Sequence, residues 1–147
     1  IKQLMDIRSG LRVNEDMREY MHDSDLTLQD FADMAAYLQS LPVAGKIGQG
    51  PPELVPRGQA LYASDCAGCH GEHGEGRPEL FFPMLASQHY GYLLREIDLI
   101  LNGERGNSNP AMPPILKNYA TDDKRAIAAY LAQLPPPAKG VAPETPR

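Results

Sequence analysis

Two cysteines and a histidine fall together in Cys66-Ala67-Gly68-Cys69-His70. The order C-x-x-C-H is the attachment signature of a c-type haem, and each spacing has a chemical reason. Thiols three positions apart lie on nearly the same side of one helical turn. From there they can form thioether bonds to the two vinyl groups along one edge of a porphyrin. The next residue, His70, then points under the ring, where an imidazole nitrogen reaches the iron as proximal ligand. Two thiols could instead form a disulfide or a thioredoxin-like redox pair, but the redox pair wants a βαβ context that the chain lacks. A structural zinc site needs four ligands. The chain has only these two cysteines, and His22, His73 and His89 make no finger spacing.

Three motifs follow one another: Gly58-x-x-x-Tyr62-x-x-x-Cys66-x-x-Cys69-His70, then Asn109-Pro110-Ala111-Met112-Pro113, then Ala128-Ala129-Tyr130-Leu131. In this order they resemble class I cytochrome c over about residues 56 to 135. The resemblance implies an all-α class I cytochrome c fold around one covalent haem c, and single-electron transport. It makes Met112 the first choice for the sixth ligand of the iron. Pro110, Pro113 and Pro114 restrict the loop around it, and a soft thioether favours Fe(II), raising the potential. The alternative for Met112 is core packing, the usual fate of methionine.

Met84 is the rival methionine. It lies in Pro83-Met84-Leu85-Ala86-Ser87-Gln88, which resembles a family stretch Pro-x-Leu-Ala-x-Gln, with Ser87 where Gly is common. That stretch packs on the haem rather than ligating it, which implies contact roles for Pro83 and Leu85. His73 follows His70 too closely to reach the opposite face of the ring. His89 opens a helix as a solvent-facing or capping residue. The resemblance also implies that Gly58 and Tyr62 pack against the last helix, near Ile127, Tyr130 and Leu131. Arg105 or Tyr119 could hold a haem propionate.

The elements that must position these residues are helices. Residues 1 to 9 read as the end of a helix with Leu4, Ile7 and Met5 apolar and Gly10 as a stop. Residues 11 to 25 are polar and read as irregular, with His22 and Asp23 a solvated pair. Thr27 and Asp30 resemble a capping box, so a helix is expected over about 28 to 41, with Phe31, Met34, Ala35, Leu38 and Leu41 on one face. Pro42 ends it. Residues 43 to 56 form a Gly/Pro-rich linker. The haem helix is expected at about 57 to 68, followed by a Gly/Pro-rich loop over 71 to 86. The apolar run Phe81, Phe82, Pro83, Met84 and Leu85 of that loop should lie against a porphyrin edge. A helix at about 88 to 102 presents Tyr92, Leu93, Ile97, Ile100 and Leu101 before Gly103, and residues 104 to 120 read as loop. Thr121 caps a last helix over about 122 to 134, with Asp122 and Asp123 in its first turn. The proline-rich tail to Arg147 is expected to be extended or disordered. No stretch alternates like a strand.

The first segment resembles the last. Leu41-Pro42 matches Leu134-Pro135 at an offset of 93 residues, and so do Ala35-Ala36-Tyr37-Leu38 and Ala128-Ala129-Tyr130-Leu131. Gly10 and Arg12 match Gly103 and Arg105; Leu4 and Ile7 match Ile97 and Ile100. A two-residue gap then puts Asn14 and Met17 on Asn109 and Met112. Residues 1–42 are therefore expected to be a partial cytochrome c-like helical segment without a haem motif, 43–56 a linker, 57–135 the haem domain and 136–147 the tail. The arrangement resembles two-domain dihaem class I cytochromes c with the first haem-binding half missing. Met17 would have been the ligand of that haem and reads, with Met21, as packing. The orphan apolar faces suggest a homodimer through residues 1–42, or a wrap onto the second domain.

The chain has 147 residues, 42% hydrophobic and 22% charged, in the range of a soluble globular protein. No run of about 18 apolar residues exists to cross a membrane, and no signal peptide is visible. A start at Ile1 rather than Met implies removal of something upstream. The net charge of −5 argues against nucleic acid and anionic lipid as partners, and is compatible with a basic or neutral redox partner protein. The haem type implies export to the periplasm. The expected function is single-electron carriage, with no enzymatic activity. The alternatives are a haem enzyme or gas sensor with an open sixth site, and a haem subunit of a larger oxidoreductase.

Overall fold

The computed structural model describes residues 1–22, 25–42 and 48–137, the side chain of His22 excepted. The His22–Asp23 pair, residues 43–47 of the linker and most of the tail lie outside the described residues. Among those described, the chain is helical, and its only β-type pairings are isolated bridges between Arg12 and Arg105 and between Arg77 and Phe82. The all-α expectation holds. The chain forms two compact units, Ile1–Ala44 with Arg95–Asn118, and Gly45–Leu94 with Tyr119–Arg147.

In the first unit, α1 (Lys2–Arg8) is followed by Gly10 at φ +77°, a left-handed position that suits a residue without Cβ. α2 (Glu15–His22) occupies a stretch expected to be irregular. Asn14 explains the difference: its side-chain oxygen accepts from the Met17 N–H at 3.1 Å, and Glu15 and Asp16 sit in the favourable first turn. Met17 and Met21, one helical turn apart, then pack on Ile7 and Phe31. α3 (Leu28–Ser40) opens with the expected reciprocal capping box, in which the Asp30 N–H donates to the Thr27 hydroxyl and Asp30 accepts from the Thr27 N–H at 2.7 Å. Its buried face is shorter than expected. Phe31 is fully buried and Met34 packs beside it, but Leu38 and Leu41 are exposed. The segment thus builds a small core of its own from Ile7, Met21 and Phe31, with Leu4, Met17, Leu26 and Met34 around it.

α6 (Tyr90–Leu101) gives its second half to this unit, and Gly103 at φ +74° follows it. Of its expected apolar stripe only Leu93 is fully buried; Glu96, unforeseen, is buried too. α7 (Met112–Lys117) lies inside a stretch expected to be loop. Pro113 and Pro114 fall in its first turn, where a missing N–H costs nothing, and Leu116 is buried.

In the second unit, a short 3₁₀ turn at Pro52–Leu54 leads into α4 (Val55–Asp65), which starts two residues earlier than expected. The helix breaks at Cys66 and resumes as α5 (Ala67–His70). α8 (Thr121–Gln133) supplies the buried residues Ala126, Ile127, Ala128, Ala129, Leu131 and Ala132. Its cap is Ala120 with no side-chain bond; Thr121 is the first helical residue instead, and Asp122 and Asp123 take their expected places. Gly58 of α4 lets the two helices cross closely: a Cβ there would fall 2.8 Å from the Tyr130 Cβ and against the Ala126 carbonyl. Tyr62 packs its ring 5.5 Å from that of Tyr130, and Arg57 donates to Asp123 at 2.7 Å. The expected seating of Gly58 and Tyr62 on the last helix is what is seen.

The internal repeat is visible in the local geometry. α3 and α8 are both 13 residues long and stand at the 93-residue offset. Arg8 and Leu101 end α1 and α6 at the same offset. Past the two-residue gap, the Met17 N–H donates to the Asn14 carbonyl at 3.2 Å and the Met112 N–H to the Asn109 carbonyl at 2.9 Å.

Candidate haem-binding site

The site is built around the break between α4 and α5. Cys66 ends one helix and caps the next, and its carbonyl accepts from the N–H groups of Cys69 (3.2 Å) and His70 (3.0 Å). This single turn sets both thiols and the imidazole in the spacing that attachment requires. Both thiols are free; Cys66 is half-buried and Cys69 exposed. Burial first, then Asp65 and Cys69, push the Cys66 thiol up to about 11. It is a neutral thiol near pH 7, unlike the activated thiolate of a redox pair.

His70 is 4% exposed. Its Nδ1 lies 3.0 Å from the Pro83 carbonyl, and its Nε2 is buried with no hydrogen-bond partner. Burial lowers its pKa, against a smaller raising effect of the Pro83 carbonyl. The ring is therefore neutral, and the carbonyl assigns the proton to Nδ1. That leaves a desolvated lone pair on Nε2. A buried unsatisfied nitrogen is costly in isolation, and it is the arrangement an axial metal ligand needs, with the other ring nitrogen fixed by a backbone carbonyl. The residues present fit an iron porphyrin.

The loop over residues 71–86 holds Pro83 in place. Gly71, Gly74 and Gly76 all have positive φ. The Gly76 N–H donates to the His70 carbonyl at 2.8 Å, and the Gly74 carbonyl accepts from Leu85 (2.8 Å) and Ala86 (3.0 Å). A Cβ at Gly76 would fall 2.6 Å from the Met84 nitrogen. Close backbone approach thus brings Pro83 to His70, and Phe82 places its ring 6.3 Å from the imidazole. Tyr62 donates its hydroxyl to the Gly71 carbonyl at 2.6 Å, fixing the chain just past His70. Burial, with Cys66, Glu75 and Tyr130 around it, raises the Tyr62 pKa well above its ordinary value, so the donor proton is secure.

Cys66, Cys69, His70 and Pro83 come together in the second unit, with Leu85 half-buried beside them in the same loop. Pro83 acts here through its carbonyl, a role the packing motif did not reveal. Met84 is exposed, as is Phe81, at 79%. Met112 opens α7 in the first unit and is half-buried. His89 is exposed. Tyr119 donates its hydroxyl to the Asp65 carboxylate, and Arg105 is engaged by Glu96 and Asn107. Asp6, Arg12, Glu96 and Asn107 are the polar residues that sequence reasoning missed. The repeat marked Arg12 and Arg105 as equivalent, but Glu96 sat unremarked in an apolar stripe.

Residues 55–135 match the family model of cytochrome c. The chain belongs to the cytochrome c family and is an electron carrier of the c-type haem class. Its similarity to cytochromes c4 extends through both units. It is 31% identical to cytochrome c4 of Pseudomonas aeruginosa, over 91% of this chain and 70% of that protein. The crystal structure of reduced recombinant cytochrome c4 from Pseudomonas stutzeri superposes with a TM-score of 0.77 and 28% identity, covering 90% of this chain and 78% of that one. A thiosulfate dehydrogenase from Marichromatium purpuratum superposes at 0.75 with 30% identity, covering 99% of this chain but 34% of that one. Among the described residues, no helix is long and apolar enough to cross a membrane.

Proposed function

We propose that this chain carries single electrons on one haem c, attached through Cys66 and Cys69, with His70 as proximal and Met112 as distal ligand. The observation that carries the reading is the buried, partnerless Nε2 of a neutral His70 whose Nδ1 is held by Pro83. Bound haem would supply an iron that gains and loses one electron, with His70 and Met112 as the residues that would hold it. The chain does the rest. Cys66 and Cys69 hold the porphyrin edge, Pro83 fixes the imidazole plane, and Leu85 and Phe82 add apolar surface. Met112 would enter as the first residue of α7, with Pro110 before it and Pro113 and Pro114 in the helix's first turn, which would limit rearrangement on redox change.

Residues 57–135 form the haem domain in this reading, and residues 1–42 are a cytochrome-like partial copy. Their core of Ile7, Met21 and Phe31 is built from residues of this segment alone. Redox proteins are the partners and the periplasm is the location in this reading. A second reading, a haem subunit in a larger oxidoreductase, draws on the match of nearly this whole chain to a third of a thiosulfate dehydrogenase. Co-purification with a catalytic subunit would select it.

Intact mass and visible spectra of the same sample test the proposal. It expects one covalent haem, a low-spin oxidised spectrum with a thioether-to-iron charge-transfer band, and a reduced form inert to carbon monoxide. A high-spin spectrum with rapid carbon monoxide binding would replace it with an enzyme or gas sensor.

A further inference from the structure

The buried charges of the first unit take no part in the site described so far. Glu96 faces guanidinium groups on both carboxylate oxygens. Arg105 Nη1 donates to Oε2 at 2.9 Å, Arg12 Nη2 lies 3.4 Å from the same oxygen, and Arg95 Nη2 lies 3.4 Å from Oε1. Arg12 comes from the N-terminal segment, and its backbone pairs with that of Arg105 in the antiparallel bridge. From Arg105 the bonds run outward. Its Nε donates to Asn107 Oδ1 at 3.0 Å, and Asn107 Nδ2 donates to Asp6 Oδ2 at 2.8 Å. Lys2 donates to the same Asp6 oxygen at 2.7 Å.

The bonds continue to the candidate ligand. The Ser108 N–H donates to the Arg105 carbonyl at 3.3 Å. Asn109 then accepts twice, from the Ala111 N–H on its side chain and from the Met112 N–H on its carbonyl, both at 2.9 Å. The stretch Gly103-Glu104-Arg105-Gly106-Asn107-Ser108-Asn109 has no large apolar side chain to bury. Polar bonds must therefore fix it. A buried carboxylate among arginines is a poor device for stability alone, since desolvation offsets most of the attraction. What it provides is one defined geometry.

We propose that Asp6 and Arg12 are positioning residues for the sixth iron ligand: through Asn107, Glu96 and Arg105 they fix the loop that delivers Met112. This rests on Met112 being that ligand. A thioether on a tethered loop stays bound in proportion to the loop's effective concentration at the iron. Freeing the loop raises the fraction of time in which the sixth position is open.

The test uses the holoprotein and the variants Asp6→Ala, Asn107→Ala, their double, Thr27→Ala and Met112→Ala. Carbon monoxide association with the reduced protein is measured, together with the pH at which the oxidised protein loses its thioether band. Loss of one charge-assisted hydrogen bond should raise carbon monoxide association roughly tenfold. The band should disappear at lower pH. The double variant should match either single one, because both cut the same link. Thr27→Ala weakens the N-terminal segment at its capping box, away from the loop, so it should lower the melting temperature and leave carbon monoxide association unchanged. Wild-type behaviour of Asp6→Ala and Asn107→Ala, beside a Met112→Ala whose site is open, overturns the clamp alone. So does Thr27→Ala raising association as much as they do. A Met112→Ala spectrum identical to wild type overturns the ligand assignment and the clamp with it. Should Asp6→Ala fail to fold, Asn107→Ala cuts the same bond from the loop side and decides the matter.

Discussion

His70 Nδ1 and the Pro83 carbonyl, thirteen positions apart in sequence, stand 3.0 Å from each other, and that bond determines which nitrogen of the imidazole keeps a free lone pair. The carbonyl is backbone, so no side-chain change removes it directly. It can be moved. Gly76 has φ +76°, and a Cβ there would fall 2.6 Å from the Met84 nitrogen and 2.8 Å from the Phe82 carbonyl. Gly76→Ala should cost about 2 kcal/mol of stability. It should also shift the haem potential, because displacing Pro83 frees the His70 ring. Thermal melting and spectroelectrochemistry of the variant would show both; an unchanged potential would mean that Pro83 does not tune His70.

The α4–α8 crossing gives a second expectation. Gly58→Ala places a methyl group against the Ala126 carbonyl and the Tyr130 Cβ. The helices must part, at a cost of about 1–3 kcal/mol. Denaturant melts should show the loss, and Gly58→Val should exceed it.

Tyr62→Phe tests the anchor behind the haem turn. The ring packing on Tyr130 survives, but the Gly71 carbonyl loses a buried donor at 2.6 Å. A loss of about 1–3 kcal/mol is expected in the same melts. A neutral result would mean that water replaces the hydroxyl.

Asp6 gives the pH dependence. Burial alone would raise its pKa, but hydrogen bonds from Lys2 and Asn107, with the charges of Lys2 and Arg12, bring it below the ordinary value of 3.8. Between the native and ordinary values the unfolded chain holds the proton and the native chain does not, so stability falls as pH falls. The melting-temperature difference between wild type and Asp6→Ala should be complete above the ordinary value. It should shrink below that value and vanish as pH passes the lowered native one. A difference constant down to strong acid would show that Asp6 acts without its charge.

Much of this was legible in the residues. Cys66, Cys69 and His70 carry a spacing with one main chemical use, and Gly58 and Tyr62 lie where their helix must meet the last one. The Thr27–Asp30 box and the repeat both survive in the structure, the latter down to the hydrogen bonds at Met17 and Met112. α2 and α7 were missed for a common reason. α2 follows Asn14 directly and α7 starts three residues after Asn109, and each is too short for an apolar period to stand out, so both asparagines look like loop residues. Leu38 and Leu41 show the opposite failure, a helical stripe longer than the core it meets. Glu96 was hidden because the leucines and isoleucines of α6 mask a carboxylate on their own face. The Pro83 carbonyl was beyond reach, since backbone acceptors leave no mark in residue type.

A potentiometric titration of wild type and Met112→Ala, followed at the haem absorption, tests the central claim most directly. The account predicts a single one-electron curve for wild type and a curve at lower potential for Met112→Ala, because a thioether favours Fe(II). Superimposable curves would contradict His70/Met112 ligation, and a wild type without a reversible one-electron curve would contradict electron carriage itself.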